Sequence, residues 1–373
     1  MSPHAVLSLL YAALVGSYAG MVFLSAVLTD AGFDDATVAA LLLAQSVAAT
    51  LAAPLWPALA DRSGQHARLL RLLLAASAAL CAVQLAVTGT AAWLLVLAAF
   101  GFTRGGVGPL LDAATLDALG DRRDAYGRVR AWGSASYLVA VTATGALQEL
   151  HPRGAVAVAL LGLAVAWAVT TASPLRDQPP LAPTPLTQAL WLPGFGGLLA
   201  VSVLHGVTIT AYDGLLPVLT ASRGLPTSVA GYALATGVAA EIAVMIAAPW
   251  WLRRFGPTSL VLLGLASGVP RWWWTGADLG PAALIGLQLL HGLGFGAWWS
   301  GGVALFAARA PPGRAATAQG LLLLGTFGLG RMASMALAAV ALRYVSPGDL
   351  FRGLAAVSVA ATTAGWWATR PSR

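Results

Sequence analysis

The sequence predicts an all-α polytopic membrane protein, with twelve transmembrane helices in two pseudo-symmetric six-helix bundles. Three observations predict it: composition, a succession of apolar runs, and a repeat between the two halves of the chain. Of 373 residues, 58% are hydrophobic and 9% are charged, whereas a soluble domain carries about 25% charged residues. The 42 glycines suit helices in lipid, where small residues allow close approach and apolar burial supplies no drive between helices.

Runs of about 20 apolar residues are long enough to cross a bilayer. In the first half they lie near residues 5–26, 36–58, 68–88, 91–117, 129–149 and 153–173. In the second half they lie near 191–219, 227–250, 257–276, 280–307, 315–341 and 349–369. The longer runs leave room for tilt. The first begins almost at Met1 without a basic leader and continues for a full span, which is unlike a cleavable signal peptide. Between the halves lies a proline-rich connection with Pro174, Pro179, Pro180, Pro183 and Pro185. The expected division is a bundle over 1–173, a cytoplasmic linker over 174–190 and a second bundle over 191–373.

The halves resemble each other. Residues 37–64, TVAALLLAQSVAATLAAPLWPALADRSG, return loosely as 228–256, SVAGYALATGVAAEIAVMIAAPWWLRRFG. Matched with a one-residue gap, Arg62 and Gly64 fall opposite Arg254 and Gly256, and Thr50 falls opposite Glu241.

The formal net charge is +7, and the chain contains no lysine. Arg62, Arg68, Arg71, Arg122, Arg123, Arg128, Arg130, Arg176, Arg253, Arg254, Arg309, Arg314, Arg370 and Arg373 fall in the even-numbered loops and the C-terminus. The odd-numbered loops hold Arg153, Arg223, Arg343 and Arg352, with Asp30, Asp34 and Asp35 in the first. Arginine concentrates on the cytoplasmic side of a membrane protein, so both termini are expected there, in a bacterial-type inner membrane. No basic patch with interleaved aromatics reads as a nucleic-acid surface. The single cysteine, Cys81, allows no internal disulfide. Metal-ligand spacing, a phosphate-binding loop and a Ser/His/Asp pattern are absent. The expectation is therefore a non-enzyme without cofactor, driven by an ion gradient or by exchange. Its partners would be a small-molecule substrate and the lipid bilayer, with a monomer as the expected state.

Intramembrane charges mark function by default, because each costs roughly 2.5–3.5 kcal/mol on insertion scales unless paired or hydrated. Glu241 lies about 14 residues into the eighth run, roughly 21 Å from its outer end. His291 enters about 11 residues into the tenth run from the same side, so the two can meet near the midplane. A carboxylate raised by burial and lowered by a nearby cation is poised for proton exchange; a structural hydrogen bond is the plainer alternative. Arg271 precedes Trp272–Trp274 in the outer half of the ninth run. It is either an interface arginine in an aromatic belt or an inward fork holding Glu241 or a substrate carboxylate. Arg104 and Asp112 are eight residues apart in the fourth run, about 80° around a helix. Arg104 suits a substrate anion; Asp112 is open between a gate, a transport role and a pair with Arg128 or Arg130. Asp213 and Tyr212 read as a periplasmic gate or rim, with Arg331 as partner to Asp213 or as a snorkelling side chain. Trp298 and Trp299 read as lipid-facing bulk before an aromatic wall, and His205 as structural.

The segment ADRSGQHARLLR (60–71) resembles the D-R-x-G signature loop of the major facilitator superfamily through Asp61, Arg62 and Gly64. That resemblance implies the major facilitator fold, with a gating loop there and a parallel half-chain repeat around a midplane site. PLLDA (109–113), YGRVRAWGS (126–134), AYDGL (211–215), GVAAE (237–241), VPRW (269–272) and LQLLH (287–291) together resemble the phenylpropionate permease group, related to the lactose-permease-like proton symporters. The resemblance implies proton and substrate machinery at Asp112, Arg130, Glu241, Arg271 and His291. There are departures. The sugar symporters carry a carboxylate one turn after the histidine, where this chain has Gly294. Asp213 stands where the aromatic-acid permease has a tyrosine. Arg104 has no charged counterpart in that group, although RGGVG (104–108) resembles an arginine motif of other facilitators.

The expected function is proton-coupled symport of a small organic solute, first an aromatic carboxylate, by alternating access about a cavity between two halves. Glu241, His291 and Asp112 would couple protons; Arg271, Arg104, Glu241 and His291 would bind substrate. Asp61, Arg62, Gly64, Arg130 and Asp213 would gate. A sugar or nucleoside symporter, a proton-driven exporter and a non-transporting sensor or scaffold are the alternatives. The fifth run lacks the Gly-Pro pattern of many antiporters, which weighs against export.

Overall fold

The structure, a computed structural model, describes residues 3–119, 126–173, 175–177, 195–311 and 315–370. Arg122, Arg123, Arg314, Arg373 and the linker prolines Pro174, Pro179, Pro180, Pro183 and Pro185 lie outside the described residues. The described residues form helices and no strand. In chain order these are α1 (Pro3–Val22), α2 (Leu24–Asp30), α3 (Asp35–Ser63), α4 (His66–Val83), α5 (Thr90–Gly105), α6 (Val107–Leu119), α7 (Tyr126–Leu150) and α8 (Gly154–Thr171). Then follow α9 (Gly196–Ser222), α10 (Thr227–Thr275), α11 (Pro281–Leu287), α12 (Trp298–Arg309), α13 (Ala315–Leu323), α14 (Gly330–Ala341) and α15 (Pro347–Ala368). Two π-helical turns, Gly292–Ala297 and Leu324–Leu329, join α11 to α12 and α13 to α14.

Nine helical stretches among the described residues are long and apolar enough to cross a membrane. Composition therefore marks nine spans where the sequence reading counts twelve. Part of the difference is local: α10 runs for 49 residues but breaks at Gly256, where φ is 74° and ψ 168°. Helices α7 and α15 are long enough but are not among the nine; polar side chains such as Arg128, Arg130 and Glu149, or Asp349 and Arg352, dilute them.

The chain groups into two compact units, Met1–Phe33 with Leu41–Pro183, and Asp34–Ala40 with Thr184–Arg373. In the first unit α1 packs along α7 and α8, and α4 packs against α8 and α5. In the second, α10 packs on α15 and on the stretch from the first π turn into α12, while α9 packs on α15 and α14. Phe195, Leu198, Leu265, Trp298, Phe306 and Leu322 form the core of that unit.

The register of the half-chain repeat has a conformational counterpart. Gly64 and Gly256, matched by sequence, have φ values of 72° and 74°. A side chain disfavours this region, so each glycine lets the chain reverse sharply after a long helix. Beside the first turn, His66 Nε2 lies 2.9 Å from Asp61 Oδ1; Arg62 is exposed and Gly64 buried. The start of α3 is capped by Asp34, which accepts from the Ala36 and Thr37 amides at 3.1 Å and from the Thr37 hydroxyl at 2.6 Å. These bonds, the Thr37 hydroxyl first, hold the Asp34 carboxyl below its ordinary pKa.

Candidate functional site

The charged and aromatic residues of the second unit converge. Glu241, on the first part of α10, lies 3.5 Å from His291 Nε2. Glycines permit the approach: a Cβ on Gly237 would meet the His291 side chain at 3.1 Å, and one on Gly292 would meet the Ala240 carbonyl at 2.6 Å. Immediately after His291 the chain adopts its π turn, a geometry concentrated at functional sites.

Arg271 is fully buried on the second part of α10. Its Nε and Nη2 both donate to Gln288 Oε1, at 3.1 and 2.9 Å. The guanidinium lies over the rings of Tyr212 and Trp272, 4.2 and 4.1 Å from their centroids. Such stacking gains strength away from water. Nη1 is buried without a hydrogen-bond partner. Gln288 is held by donating from Nε2 to the Leu284 carbonyl at 3.1 Å. The fork thus grips a neutral amide and leaves the guanidinium its full charge. Asp213 interacts electrostatically with both Arg331 and Arg271.

An aromatic series continues from the histidine. His291 stacks on Phe295 (centroids 5.7 Å apart, planes 1°), and Phe295 on Trp299 (5.8 Å, 5°). Phe327, from the second π turn, packs against Phe295 and Trp299 at 6.1 and 5.8 Å. Tyr212 lies 5.4 Å from His291, and His205 lies 4.5 Å from Trp298.

Several readings of the sequence change here. Arg271 is not a belt residue, since it and Trp272 are buried while Trp273 and Trp274 are exposed. Its fork grips Gln288, not Glu241. Trp298 is buried, so it is core and not lipid-facing bulk. Tyr212, read as part of a rim, belongs to the buried cluster around Arg271 and His291. Gln288, Phe295 and Phe327 join the site without a charge to mark them in the sequence. The 3- and 4-residue spacing of 288, 291, 295 and 299 marks one helix face, and was the signal available for the first two.

The first unit has its own buried cation. Arg104 lies over the Tyr18 ring, 4.0 Å from the centroid, and its Nη2 donates to Ser17 Oγ at 2.8 Å and to the Leu14 carbonyl at 3.3 Å. Its Nε and Nη1 are buried without a hydrogen-bond partner. Asp112 accepts a 2.5 Å hydrogen bond from the Tyr11 hydroxyl. Arg128 and Arg130 are exposed.

The profile of the MFS_1 like family matches residues 4–352. The chain belongs to this family. It is a major facilitator protein, and a multi-pass membrane protein by its apolar helices and its relatives. It is similar to the probable 3-phenylpropionic acid transporter of Escherichia coli (strain K12), at 29% identity over 72% of this chain and 73% of that protein. It is also similar to the maltose permease of Geobacillus stearothermophilus, at 28% identity over 67% of this chain and 64% of that one. Among solved structures, the nucleoside transporter NupG matches with a TM-score of 0.82 and 18% identity over 100% of both chains. The POT family transporter PepTSo matches with a TM-score of 0.81 and 11% identity, over 99% of this chain and 97% of that one. At these identities the solved structures speak for the fold alone.

Proposed function

We propose that this protein is a proton-coupled secondary transporter that moves a small organic carboxylate, of the aromatic-acid kind, across the inner membrane by alternating access. The proposal includes twelve spans in two bundles over 1–173 and 191–373, joined by the linker 174–190, with both termini in the cytoplasm. Arg271 is the observation that carries it: a fully buried cation whose hydrogen-bonded partner is a neutral amide and whose Nη1 has no partner. A carboxylate would satisfy that donor and the charge together. The aromatic residues Phe295, Trp299 and Phe327, on the two π turns and the start of α12, offer ring surfaces in the same unit. The similarity to a probable 3-phenylpropionic acid transporter agrees with both halves of such a solute.

Glu241 beside His291 is the proton-handling pair, with Asp112 as the acid of the first unit. Proton uptake by Glu241 would lower the charge that must change sides, and solute binding at Arg271 would do the same for the cation. Arg104 is a second cationic position open to a solute. Asp61, Arg62 and Gly64 form the gating loop, with Arg130 near the start of α7 and Asp213 within α9 as further gate residues. The energy source is the proton gradient, and no cofactor enters. A neutral sugar is the second reading, favoured by the similarity to a maltose permease.

The test is a thermal-shift screen of purified protein with carboxylates, sugars and nucleosides at two pH values. The expected result is stabilisation by an aromatic carboxylate that disappears in Arg271→Ala. Stabilisation by sugars or nucleosides alone, or a carboxylate effect that survives Arg271→Ala, would overturn the assignment.

A further inference from the structure

Arg271 Nη1 is bordered by a residue that has no side chain. Gly294 is buried in the π turn that follows His291. Outside its own helix and among the described residues, two atoms come within 4 Å of a Cβ built there: Ser267 Oγ at 3.5 Å and Arg271 Nη1 at 3.6 Å. Both distances are ordinary van der Waals contacts, so the position tolerates a small side chain, and that side chain would point at the unpartnered donor. The Ser267 hydroxyl donates to the Gly264 carbonyl at 2.8 Å, and its oxygen can still accept. The nearest carboxylates are otherwise engaged: Glu241 lies against His291, and Asp213 interacts with Arg331 as well as Arg271. His205 approaches the Gly294 backbone from α9.

We infer that Gly294 is the selectivity residue of this site: lacking a side chain, it leaves Arg271 Nη1 to the carboxylate of the solute, and an acid at this position would occupy Nη1 from within and turn the site away from anionic solutes. The physical reason is charge. A buried guanidinium that keeps one donor without a hydrogen-bond partner accepts the anion that reaches it. With glycine at 294 the anion must arrive with the solute. With a resident carboxylate the site would be neutral before binding, and an incoming acid would meet repulsion. The solute class this selects is a monocarboxylate with its charge at one end. The inference rests on the carboxylate reading above, and two independent measurements separate their failures.

The first uses no ligand. Melting temperatures of the purified full-length Gly294→Asp and Gly294→Asn variants are compared at neutral pH. These side chains have nearly the same shape and differ in charge, so strain from either replacement cancels. The expected result is a higher melting temperature for Gly294→Asp. Equal melting, or a lower value for Gly294→Asp, would overturn the inference.

The second compares binding of 3-phenylpropionate and its neutral amide to wild type and to Gly294→Asp. Wild type is expected to bind the acid and not the amide, and Gly294→Asp is expected to lose at least about tenfold in affinity for the acid, the worth of one charge-assisted contact. Undiminished acid binding by Gly294→Asp would overturn the inference. If wild type binds no carboxylate while Gly294→Asp melts above Gly294→Asn, the solute class is wrong and the pairing of position 294 with Arg271 stands.

Discussion

Among the described residues each unit buries one arginine against a tyrosine ring with at least one donor left without a hydrogen-bond partner, and the two differ in what else surrounds the guanidinium. Arg104 lies over Tyr18 and is tied to α1 by the Ser17 hydroxyl and the Leu14 carbonyl. Those contacts join two helices of one bundle. Arg271 lies over Tyr212, but its fork holds a glutamine on the segment that carries His291, and the Glu241–His291 pair belongs to the same cluster. The same residue type on the same kind of ring is thus tied chiefly to a neighbouring helix in one unit and part of a chemical cluster in the other. Burial alone does not mark a binding residue. What surrounds its free donors does.

The largest effect should separate the two arginines. Arg271→Ala is expected to lower solute affinity by on the order of 10–100-fold, the loss of a charged hydrogen bond. Arg104→Ala is expected to lower the melting temperature and to change affinity far less. Isothermal titration and thermal melts on both variants check this, and equal affinity losses would erase the contrast.

Next in size is coupling. Glu241→Gln is expected to abolish uphill accumulation driven by a pH gradient in proteoliposomes while leaving downhill counterflow. Asp112→Asn, which keeps a group able to accept from Tyr11, is expected to slow uptake but leave it uphill. Accumulation by Glu241→Gln would move the proton-handling residue to the first unit.

The units are expected to respond alike at their matched turns. Gly64→Ala and Gly256→Ala each place a side chain at positive φ, at a cost of about 1–3 kcal/mol. Melts of the two variants should fall by similar amounts; a large inequality would show that the repeat does not extend to these loops.

The smallest effect belongs to the cap of α3. Asp34→Ala should cost about 1 kcal/mol at neutral pH. The Asp34 carboxyl is held below 3.8 by its hydrogen bonds in the folded protein, so its contribution is present above the unfolded value and is lost as pH falls through the lowered one. The gap between wild type and Asp34→Ala should therefore close on acidification below 3.8, as followed by thermal melts across pH.

The class of protein, the repeat and the charged residues of interest were legible in the sequence because each has a strong local signature. Apolar runs of bilayer length, a D-R-x-G loop and isolated charges in those runs owe nothing to packing. The matched glycines Gly64 and Gly256 were found by register, and their shared backbone conformation follows from the same turn being needed twice. Partners were not legible. Gln288 is an unremarked amide until α11 brings it beneath Arg271, and Phe327 comes from a segment far along the chain. Periodicity assumes 3.6 residues per turn, and the π turns at 292–297 and 324–329 shift side chains away from that register. Trp298 and Tyr212 were misplaced for a related reason: composition tells how apolar a residue is, not whether lipid or protein covers it. A facilitator-type membrane protein with a few costly charges follows from the residues alone, since the bilayer penalises each charge wherever it sits. Which of those charges meets a carboxylate, which meets an amide and which keeps a donor open is set by packing, because packing supplies the neighbours.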